Sequence, residues 1–392
     1  MEIFIKIILF YIITELILYF FIFKSRNIKW ILTNNDLIKL FSNKRFNKFK
    51  NTNYNYFLGW DKKENTSGLE ICNDKQIKYS IDKKGYRSSN FKSSKNKIIT
   101  FGDSYTFCRQ VNNDSTWQEL ASSRTVFISN FGVGNYGLDQ SYLKYKSKKI
   151  KGKNKIIIFG FVPETICRIQ SAWKHFFEFG NIHGFKPFCV LKNDKLVLKR
   201  NILKKSTTLK NIHRVIEKLK TYDRFYKEKY CKHIIKFPFV FSFLNNIKFN
   251  IHIFILIMFN ISFDKRELEK KIFPVIMRNN IIKSHSLYNE VYSQKLLKKL
   301  MMQIHNDVNR NNHKCIFLVF PQFYDLKLSS RRNYQDFFNK LGKDVKILDL
   351  TNKFLQKKNF DKFFTNDKYG GHLNLKGNKI VSKVLKDYAK NI

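Results

Sequence analysis

Ser104 is the residue of this sequence best placed to act as a nucleophile. The β-branched run KIITF, residues 97–101, ends on Gly102-Asp103-Ser104, so the hydroxyl follows a strand at the point where a helix begins. Backbone N–H groups at the start of a helix have no intrahelical partner and favour a developing negative charge. A serine hydroxyl reacts only when a neighbouring base takes its proton. The pattern predicts a nucleophilic serine, and an ordinary polar turn is the alternative.

His372 is the candidate base. It lies in NDKYGGHLNLKGNKI, residues 366–380, after two glycines and before the last predicted helix. Asp367 stands five residues upstream, close enough on a loop to orient the imidazole and to stabilise its charged form. The sequence therefore predicts a catalytic Ser104–His372–Asp367 triad, with a serine–histidine dyad as the fallback. The alternative is a loop histidine followed by a helix cap at Asn374.

Two segments that contain glycines or turns are candidates to supply the hydrogen-bond donors that bind a tetrahedral oxyanion. NFGVGNYGLDQ, residues 130–140, follows the second predicted strand, and its glycines allow sharp turns that present backbone N–H groups. FGFVPETICRI, residues 159–169, follows the third predicted strand. Each donor aimed at such an oxyanion lowers the barrier by about 3 kcal/mol.

In order and spacing these segments resemble the four sequence blocks of the SGNH (GDSL-type) hydrolases. The resemblance covers residues 85–145, 154–170 and 345–390. The stretches GYRSS, NFGVGNYGLDQ and GGHLNLKGN look like the branch associated with bacterial surface-polysaccharide biosynthesis, whose members are esterases or O-acyltransferases. In this resemblance Ser104 matches the family's nucleophile and His372 its base. The family's aspartate usually stands three residues before the histidine, where this chain has Tyr369, so Asp367 is an irregular match for the acid.

The resemblance also implies oxyanion donors. Asn135 stands where the family's second block has its oxyanion glycine; only a backbone N–H is needed there, and Gly134 is the alternative donor. The third block of the family carries an asparagine side chain, and Glu164 aligns with it best. An ionised carboxylate cannot donate a hydrogen bond, so Thr165 is the alternative donor in that block.

Five short apolar runs, separated by helical patterns, predict the fold. Runs that are apolar throughout are typical of parallel strands covered on both faces. We expect an α/β fold, a three-layer α/β/α sandwich of the SGNH, flavodoxin-like kind with a central parallel sheet, whose strand ends carry the reactive residues. The predicted strands are residues 97–101, 125–130, 154–161, 314–321 and 345–350.

The α/β domain is predicted over residues 95–392, with a mainly helical insertion at about 170–285. Within the insertion, IHIFILIMFNISF (residues 251–263) is short for a membrane span. An insertion helix is the favoured interpretation, and a membrane-contacting hairpin is the alternative. Residues 26–94 are predicted to form a polar lead-in segment with short strands.

Residues 1–25 are predicted to form an uncleaved membrane anchor. IILFYIITELILYFFIF, residues 7–23, approaches the ~20 apolar residues that span a bilayer. Glu15 lies within it and must be neutral, paired or turned toward a partner helix; a helix lying in the membrane interface is the alternative. The basic residues that follow residue 23 weakly favour a cytoplasmic location for the rest of this single-pass protein.

Charge and cysteine content limit the classes of partner. The net charge of +44 is spread along the whole chain, so we expect no nucleic-acid partner, although acidic glycans or anionic lipids would be attracted. The six cysteines have no metal-binding spacing, and neither a disulfide framework, a metal site nor a cofactor is predicted.

Together these features predict a serine-dependent ester hydrolase or O-acyltransferase that acts on an acylated sugar or glycan through an acyl-enzyme on Ser104. The first alternative is a catalytically inactive SGNH-fold protein that binds glycan or acts as an accessory. A basic protein that binds nucleic acid or a lipid surface is the second.

Overall fold

The computed structural model describes two compact units of the chain. It describes residues 1–25, 28, 31–33, 36–72, 75–91, 96–260, 264–328, 332–365 and 371–390. One unit, called here the N-terminal unit, comprises Met1–Lys50, Ser171–Phe185 and Ile202–Asn280. The other, called the sheet unit, comprises Asn51–Gln170, Lys186–Asn201 and Ile281–Ile392. The division predicted at residues 25, 94 and 170–285 stays a prediction.

A five-stranded parallel sheet forms the centre of the sheet unit. Its strands are β1 (Asn96–Gly102), β2 (Phe127–Asn130), β3 (Ile156–Phe161), β4 (Lys314–Val319) and β5 (Ile347–Asp349). They lie in the spatial order β5-β4-β3-β1-β2, and every neighbouring pair is parallel. Both the α/β class and the central parallel sheet predicted from the sequence are therefore confirmed.

The strands form where apolar runs can be buried on both faces. All six residues of β3 and the last five of β4 are buried. Strands of this kind need helices packed over them, and the chain supplies amphipathic ones: the helix Val291–Arg310 buries Leu296, Leu300 and Ile304 at helical spacing. The longer helices of the sheet unit are Leu138–Ser147, Val291–Arg310, Asn333–Leu341 and Leu375–Lys390.

Short elements complete the sheet unit. Two antiparallel hairpins pair Thr66–Cys72 with Lys75–Ile81 and Phe188–Lys192 with Lys195–Lys199. A smaller one pairs Tyr54–Asn55 with Gly59–Trp60. Short α-helices span Ser104–Phe107, Trp117–Ala121, Thr165–Arg168, Phe323–Lys327 and Thr351–Leu355, and 3-10 turns span Asn113–Ser115 and Phe360–Phe363.

The N-terminal unit is mainly helical. It contains one short parallel pair, Leu32–Thr33 with Ile234–Ile235. It also contains most residues of two helices, Asn43–Thr52 and Lys265–Leu287, whose last residues belong to the sheet unit. Its other helices are Glu2–Ser25, Asp36–Lys39, Ile212–Tyr222, Cys231–His233, Phe239–Leu244 and Ile247–Met258, with 3-10 turns Lys174–Phe176 and Leu209–Asn211 and a π-helical turn Tyr226–Tyr230.

The N-terminal helix Glu2–Ser25 has the length and composition of a membrane span. Its residues Glu2–Phe23 have a mean hydropathy of 2.3, and most of their surface lies outside the protein core. A signal sequence has the same length and apolar character, and the helix does not determine which side of a membrane the rest of the chain occupies.

Candidate active site

Strand β1 ends in a tight turn that delivers Ser104 to the edge of the sheet. Gly102 is required there because a Cβ at this position would lie 2.1 Å from the carbonyl oxygen of Gly160 on the neighbouring strand β3. Asp103 then caps a four-residue helix by accepting a hydrogen bond from the Tyr105 N–H at 2.9 Å. Ser104 is the first residue of that helix and is 5% exposed.

The loop before the last helix holds His372 through its backbone. The carbonyl of His372 accepts hydrogen bonds from the N–H of Thr365 at 2.8 Å and from its hydroxyl at 3.1 Å. Asn374 follows, and its side-chain oxygen accepts from the Gly377 N–H at 3.1 Å. The helix cap considered at Asn374 is thus present, and it fixes the residues immediately after His372 rather than excluding a role for the imidazole.

The hydroxyl of Ser104 and the imidazole of His372 meet directly. Ser104 Oγ lies 2.8 Å from His372 Nε2, although the two residues are 268 positions apart. This distance falls within the ~2.6 to 3.2 Å expected between a nucleophile and its base. For Nε2 to accept the hydroxyl proton, Nδ1 must carry the ring proton. The pair therefore has the geometry of a base-activated nucleophile.

Tyr105 supports His372, a role that the sequence did not suggest. The two rings lie 4.9 Å apart between centroids and are inclined by 30°. The phenol hydroxyl of Tyr105 donates to the carbonyl of Gly371 at 3.0 Å. Tyr105 thus holds the His372 imidazole with its own ring, and it holds the loop at Gly371 with its hydroxyl.

The loop after β2 packs against the serine helix. The Val133 N–H donates to the carbonyl of Gly102 at 2.9 Å. A Cβ on Gly132 would lie 2.3 Å from the backbone nitrogen of Phe107, so only glycine allows this approach. The loop is consequently fixed on the helix that carries Ser104.

The same loop presents the predicted oxyanion donors. Asn135 has a φ of 69°, in the left-handed region that favours glycine. Gly134 is half-buried, and a Cβ there would meet nothing within 4 Å. Among the residues that the structure describes, the N–H groups of Ser104 and Gly134 donate to no acceptor.

Glu164 and Thr165, the candidates from the third block, form hydrogen bonds inside the protein. Glu164 is fully buried, and its Oε2 accepts from Arg168 at 2.7 Å. The hydroxyl oxygen of Thr165 accepts from the N–H of Leu138 at 2.9 Å. These contacts give both side chains structural roles at the start of two helices.

A network of three buried charged side chains underlies the serine turn. Arg168 pairs with Glu164 and lies 3.6 Å from the Oδ2 of Asp103. Burial raises the pKa of the Asp103 carboxyl, while the Arg168 charge and the backbone N–H groups of Tyr105 and Val162 act in the opposite direction. Glu164 and Arg168 are four residues apart, and this spacing of a helical ion pair is a signal in the sequence for their pairing.

Arg87 holds the other end of the serine helix. Its guanidinium, almost completely buried, donates to the carbonyls of Phe107 at 2.6 Å, Cys108 at 2.8 Å and Val111 at 2.5 Å. Burial lowers the pKa of Arg87 to about 10, so the side chain is charged at neutral pH. Burial also raises the pKa of the Cys108 thiol to about 12, which leaves this neighbouring thiol protonated and unreactive.

The predicted acid Asp367 lies outside the described residues, and its role stays a prediction. In the described part of the chain, no three or more histidine, cysteine, aspartate or glutamate side chains are grouped as metal ligands would be. The described groups that meet at this site are Ser104 and His372.

Comparison with known proteins assigns no family or function to this site. No family model matches the sequence, and no curated protein matches it. One solved crystal structure aligns with 75% of this chain and 96% of its own, at 10% sequence identity and a TM-score of 0.32. A likeness of that degree carries no argument about fold or function.

Proposed function

We propose that the protein is a serine-dependent ester hydrolase or O-acyltransferase that acts on an acylated sugar or glycan. The observation that carries the proposal is the distance of 2.8 Å between Ser104 Oγ and His372 Nε2, at the carboxyl end of a central strand. Reactive residues of open α/β sheets gather at that edge. The order of the sequence blocks, which resembles that of the SGNH hydrolases, supports ester chemistry in particular.

The first half of the reaction forms an acyl-enzyme. His372 Nε2 takes the Ser104 proton while Oγ attacks the acyl carbonyl carbon, and the carbonyl electrons move onto oxygen. The tetrahedral intermediate then collapses. The bond to the sugar oxygen breaks, and His372 returns its proton to that leaving oxygen, so that a sugar hydroxyl departs and the acyl group stays on Ser104.

The second half regenerates the serine. A water molecule or a second sugar hydroxyl loses its proton to His372 and attacks the acyl carbonyl of the ester on Ser104. Collapse expels the Ser104 oxygen, which recovers the proton from His372. Water yields a carboxylic acid, whereas a sugar hydroxyl yields a new ester, and the two outcomes define the hydrolase and the transferase.

The negative charge of each tetrahedral intermediate needs donors, and the backbone provides candidates. The N–H groups of Ser104 and of Gly134 or Asn135 are the donors we propose. Each such donor contributes about 3 kcal/mol to lowering the barrier. In this arrangement Glu164 and Thr165 support the site through the serine turn and the neighbouring helices instead of touching substrate.

The same proposal includes the detailed type of α/β fold and the cellular location of the protein. We infer a three-layer α/β/α sandwich of SGNH type, and a single-pass membrane anchor in the helix Glu2–Ser25. The proposed partners are the acylated glycan and the membrane, with no nucleic acid. The cytoplasmic face is the weakly favoured side, because basic residues follow the helix in the sequence.

One observation favours a second candidate, a protein that keeps the fold and binds glycan without catalysis. The position of the third-block asparagine is occupied by Glu164, whose carboxylate is buried against Arg168. A site with only backbone donors would stabilise the oxyanion less than one with an added side-chain donor. The residue pair Ser104 and His372 would then be a remnant of the enzyme.

A fluorophosphonate probe and an aryl acetate substrate distinguish the two candidates. An active enzyme is labelled by the probe and hydrolyses the aryl ester, and Ser104→Ala abolishes both. Glycan binding that persists in Ser104→Ala, without labelling or turnover of the wild type, would instead support the binding protein.

A further inference from the structure

Two consecutive helices of the N-terminal unit expose an unusual amount of apolar surface. We call the helices Phe239–Leu244 and Ile247–Met258, with the turn between them, the insertion hairpin. Water-soluble proteins rarely expose large contiguous apolar patches. The exposed apolar residues of the hairpin and its flanks are Phe237, Phe241, Leu244, Ile247, Ile251, Ile255, Met258 and Phe259.

Glu15 joins the hairpin to the N-terminal helix. Its two carboxylate oxygens accept hydrogen bonds from the backbone N–H groups of Phe239 at 2.8 Å and Val240 at 3.0 Å. These N–H groups belong to the first turn of a helix and have no intrahelical acceptor. A carboxylate at position 15 is unfavourable in a membrane-spanning helix unless it is paired. Here Glu15 is 8% exposed, and the hairpin supplies its hydrogen-bond donors.

Aromatic contacts give the direction of the first hairpin helix. Phe239 lies 6.2 Å from Tyr19 and Phe241 lies 6.4 Å from Tyr11, measured between ring centroids. The first hairpin helix therefore runs toward the amino-terminal end of the N-terminal helix. Tyr11 and Tyr19 are separated by about 12 Å along the axis of an α-helix, so these contacts extend over about 12 Å of a hydrocarbon core that is about 30 Å thick.

The second hairpin helix also contacts the N-terminal helix. Phe254 lies 5.0 Å from Phe21 and 6.0 Å from Phe243. The buried amide of Asn250 donates to the carbonyl of Phe243 within the hairpin at 2.8 Å, and Asn260, just after the hairpin, donates to the carbonyl of Leu256 at 2.7 Å and accepts from Lys271. Both segments are helical, the state that satisfies backbone groups without water.

We propose that the insertion hairpin is embedded in the lipid hydrocarbon beside the N-terminal helix, as a re-entrant element that enters and leaves on one side of the membrane. The proposal rests on the membrane anchoring proposed above. If the N-terminal helix spans the bilayer, a hairpin that contacts it from Tyr11 to Phe21 occupies the same depth. Its outward apolar side chains then face acyl chains.

The charged residues at the two ends of the hairpin are consistent with lipid covering its apolar side chains. Exposed lysines precede it at Lys232 and Lys236, and Lys265 follows it beside the exposed Asp264. Lysines at this position lie at the level of anionic headgroups.

Spin-label accessibility in vesicles tests the proposal on the full-length protein. Single cysteines are placed at Phe241 and Ile255 in the hairpin, at Phe10 in the N-terminal helix, and at Leu69 on the exposed Thr66–Cys72 strand of the sheet unit. Cys231, the exposed one of the six cysteines, is replaced by serine in the background. The labelled protein is reconstituted in phosphatidylethanolamine and phosphatidylglycerol vesicles, and thermal unfolding checks that each variant is folded.

The expected result is that the labels at Phe241, Ile255 and Phe10 collide several-fold more with dissolved oxygen than with a water-soluble nickel chelate, while Leu69 shows the reverse. If Phe10 is in lipid but the hairpin labels behave like Leu69, the re-entrant hairpin is refuted and the anchor stands. Hairpin labels shielded from both reagents would show a protein partner and would equally refute it. If Phe10 is accessible to the chelate, the anchor itself fails.

Discussion

Two buried histidines of the sheet unit make nearly identical contacts with different partners. His372 Nε2 lies 2.8 Å from the hydroxyl of Ser104, and His285 Nε2 lies 2.7 Å from a carboxylate oxygen of Asp325. Each also has a tyrosine ring beside it, Tyr105 at 4.9 Å and Tyr334 at 5.2 Å between centroids. Distance and burial alone therefore do not show which of the two histidines could act as a base.

The chemistry of the partner separates the two histidines. A hydroxyl has a proton that the imidazole can take, which turns oxygen into a nucleophile. A carboxylate oxygen has no such hydroxyl proton, and it holds its histidine in place by a hydrogen bond. The surroundings agree: Asp325 also accepts the Gln322 N–H at 2.7 Å at the start of a helix, whereas Ser104 begins a helix with its own N–H directed to no described acceptor.

The largest expected difference is in catalysis. His372→Gln should lower fluorophosphonate labelling and aryl acetate turnover by a factor on the order of 10³ or more, because the hydroxyl loses its base. His285→Gln, the matched control, should leave both rates close to wild type at temperatures where the protein is folded. Equal losses in the two variants would remove the distinction drawn between the histidines.

The second effect concerns stability. Asp325→Asn should lower the free energy of unfolding by about 3 to 5 kcal/mol, since it disrupts a buried pair and weakens the acceptor for a helix N–H. Urea denaturation followed by circular dichroism measures the change, and Ser104→Ala serves as the comparison with a shift below about 1 kcal/mol. A stable Asp325→Asn protein would mean that the His285 pair is dispensable for folding.

Two glycines of one loop offer a matched test of how the serine helix is positioned. Gly132→Ala should destabilise the protein by about 1 to 3 kcal/mol and reduce labelling of Ser104, because the new Cβ would meet the Phe107 backbone at 2.3 Å. Gly134→Ala, where a Cβ meets nothing within 4 Å, should change the stability by less than about 0.5 kcal/mol. Similar thermal unfolding of both variants would contradict the close packing described.

The smallest expected effects come from the two tyrosine hydroxyls. Tyr105→Phe keeps the ring on His372 and removes one hydrogen bond to Gly371, so turnover should fall a few-fold, with about 1 kcal/mol lost in stability. Tyr334→Phe removes the hydroxyl contact with Thr351 at 3.0 Å and should cost a similar stability without affecting turnover. Steady-state kinetics and thermal unfolding of both variants measure the contrast.

Much of the fold was predictable because it is coded locally. Each sheet strand is a short apolar run, and the predicted residues 314–321 and 154–161 contain the observed strands Lys314–Val319 and Ile156–Phe161. The turn at Ser104 was predictable for the same reason, since a small residue pair after an apolar run ends a strand. These features depend on neighbours in the chain.

The support of the site was not predictable in the same way. Arg87 reaches carbonyls about twenty residues away, and the Arg168 charge lies between two carboxylates from different strand ends. The sequence shows these residues as ordinary arginines among many basic side chains. Only the folded chain shows which of them are buried, and burial is what makes their charges important to the serine turn.

The sequence by itself determined the parallel sheet, the strand end that presents Ser104 and the apolar character of the N-terminal helix, because periodicity and turn chemistry act over a few residues. The tertiary structure decided which histidine meets the serine hydroxyl, that Glu164 is paired with Arg168, and that Glu15 caps a helix more than 200 residues away. Such pairings depend on how distant strand ends and helix ends come together, and residue spacing along the chain carries no record of those distances.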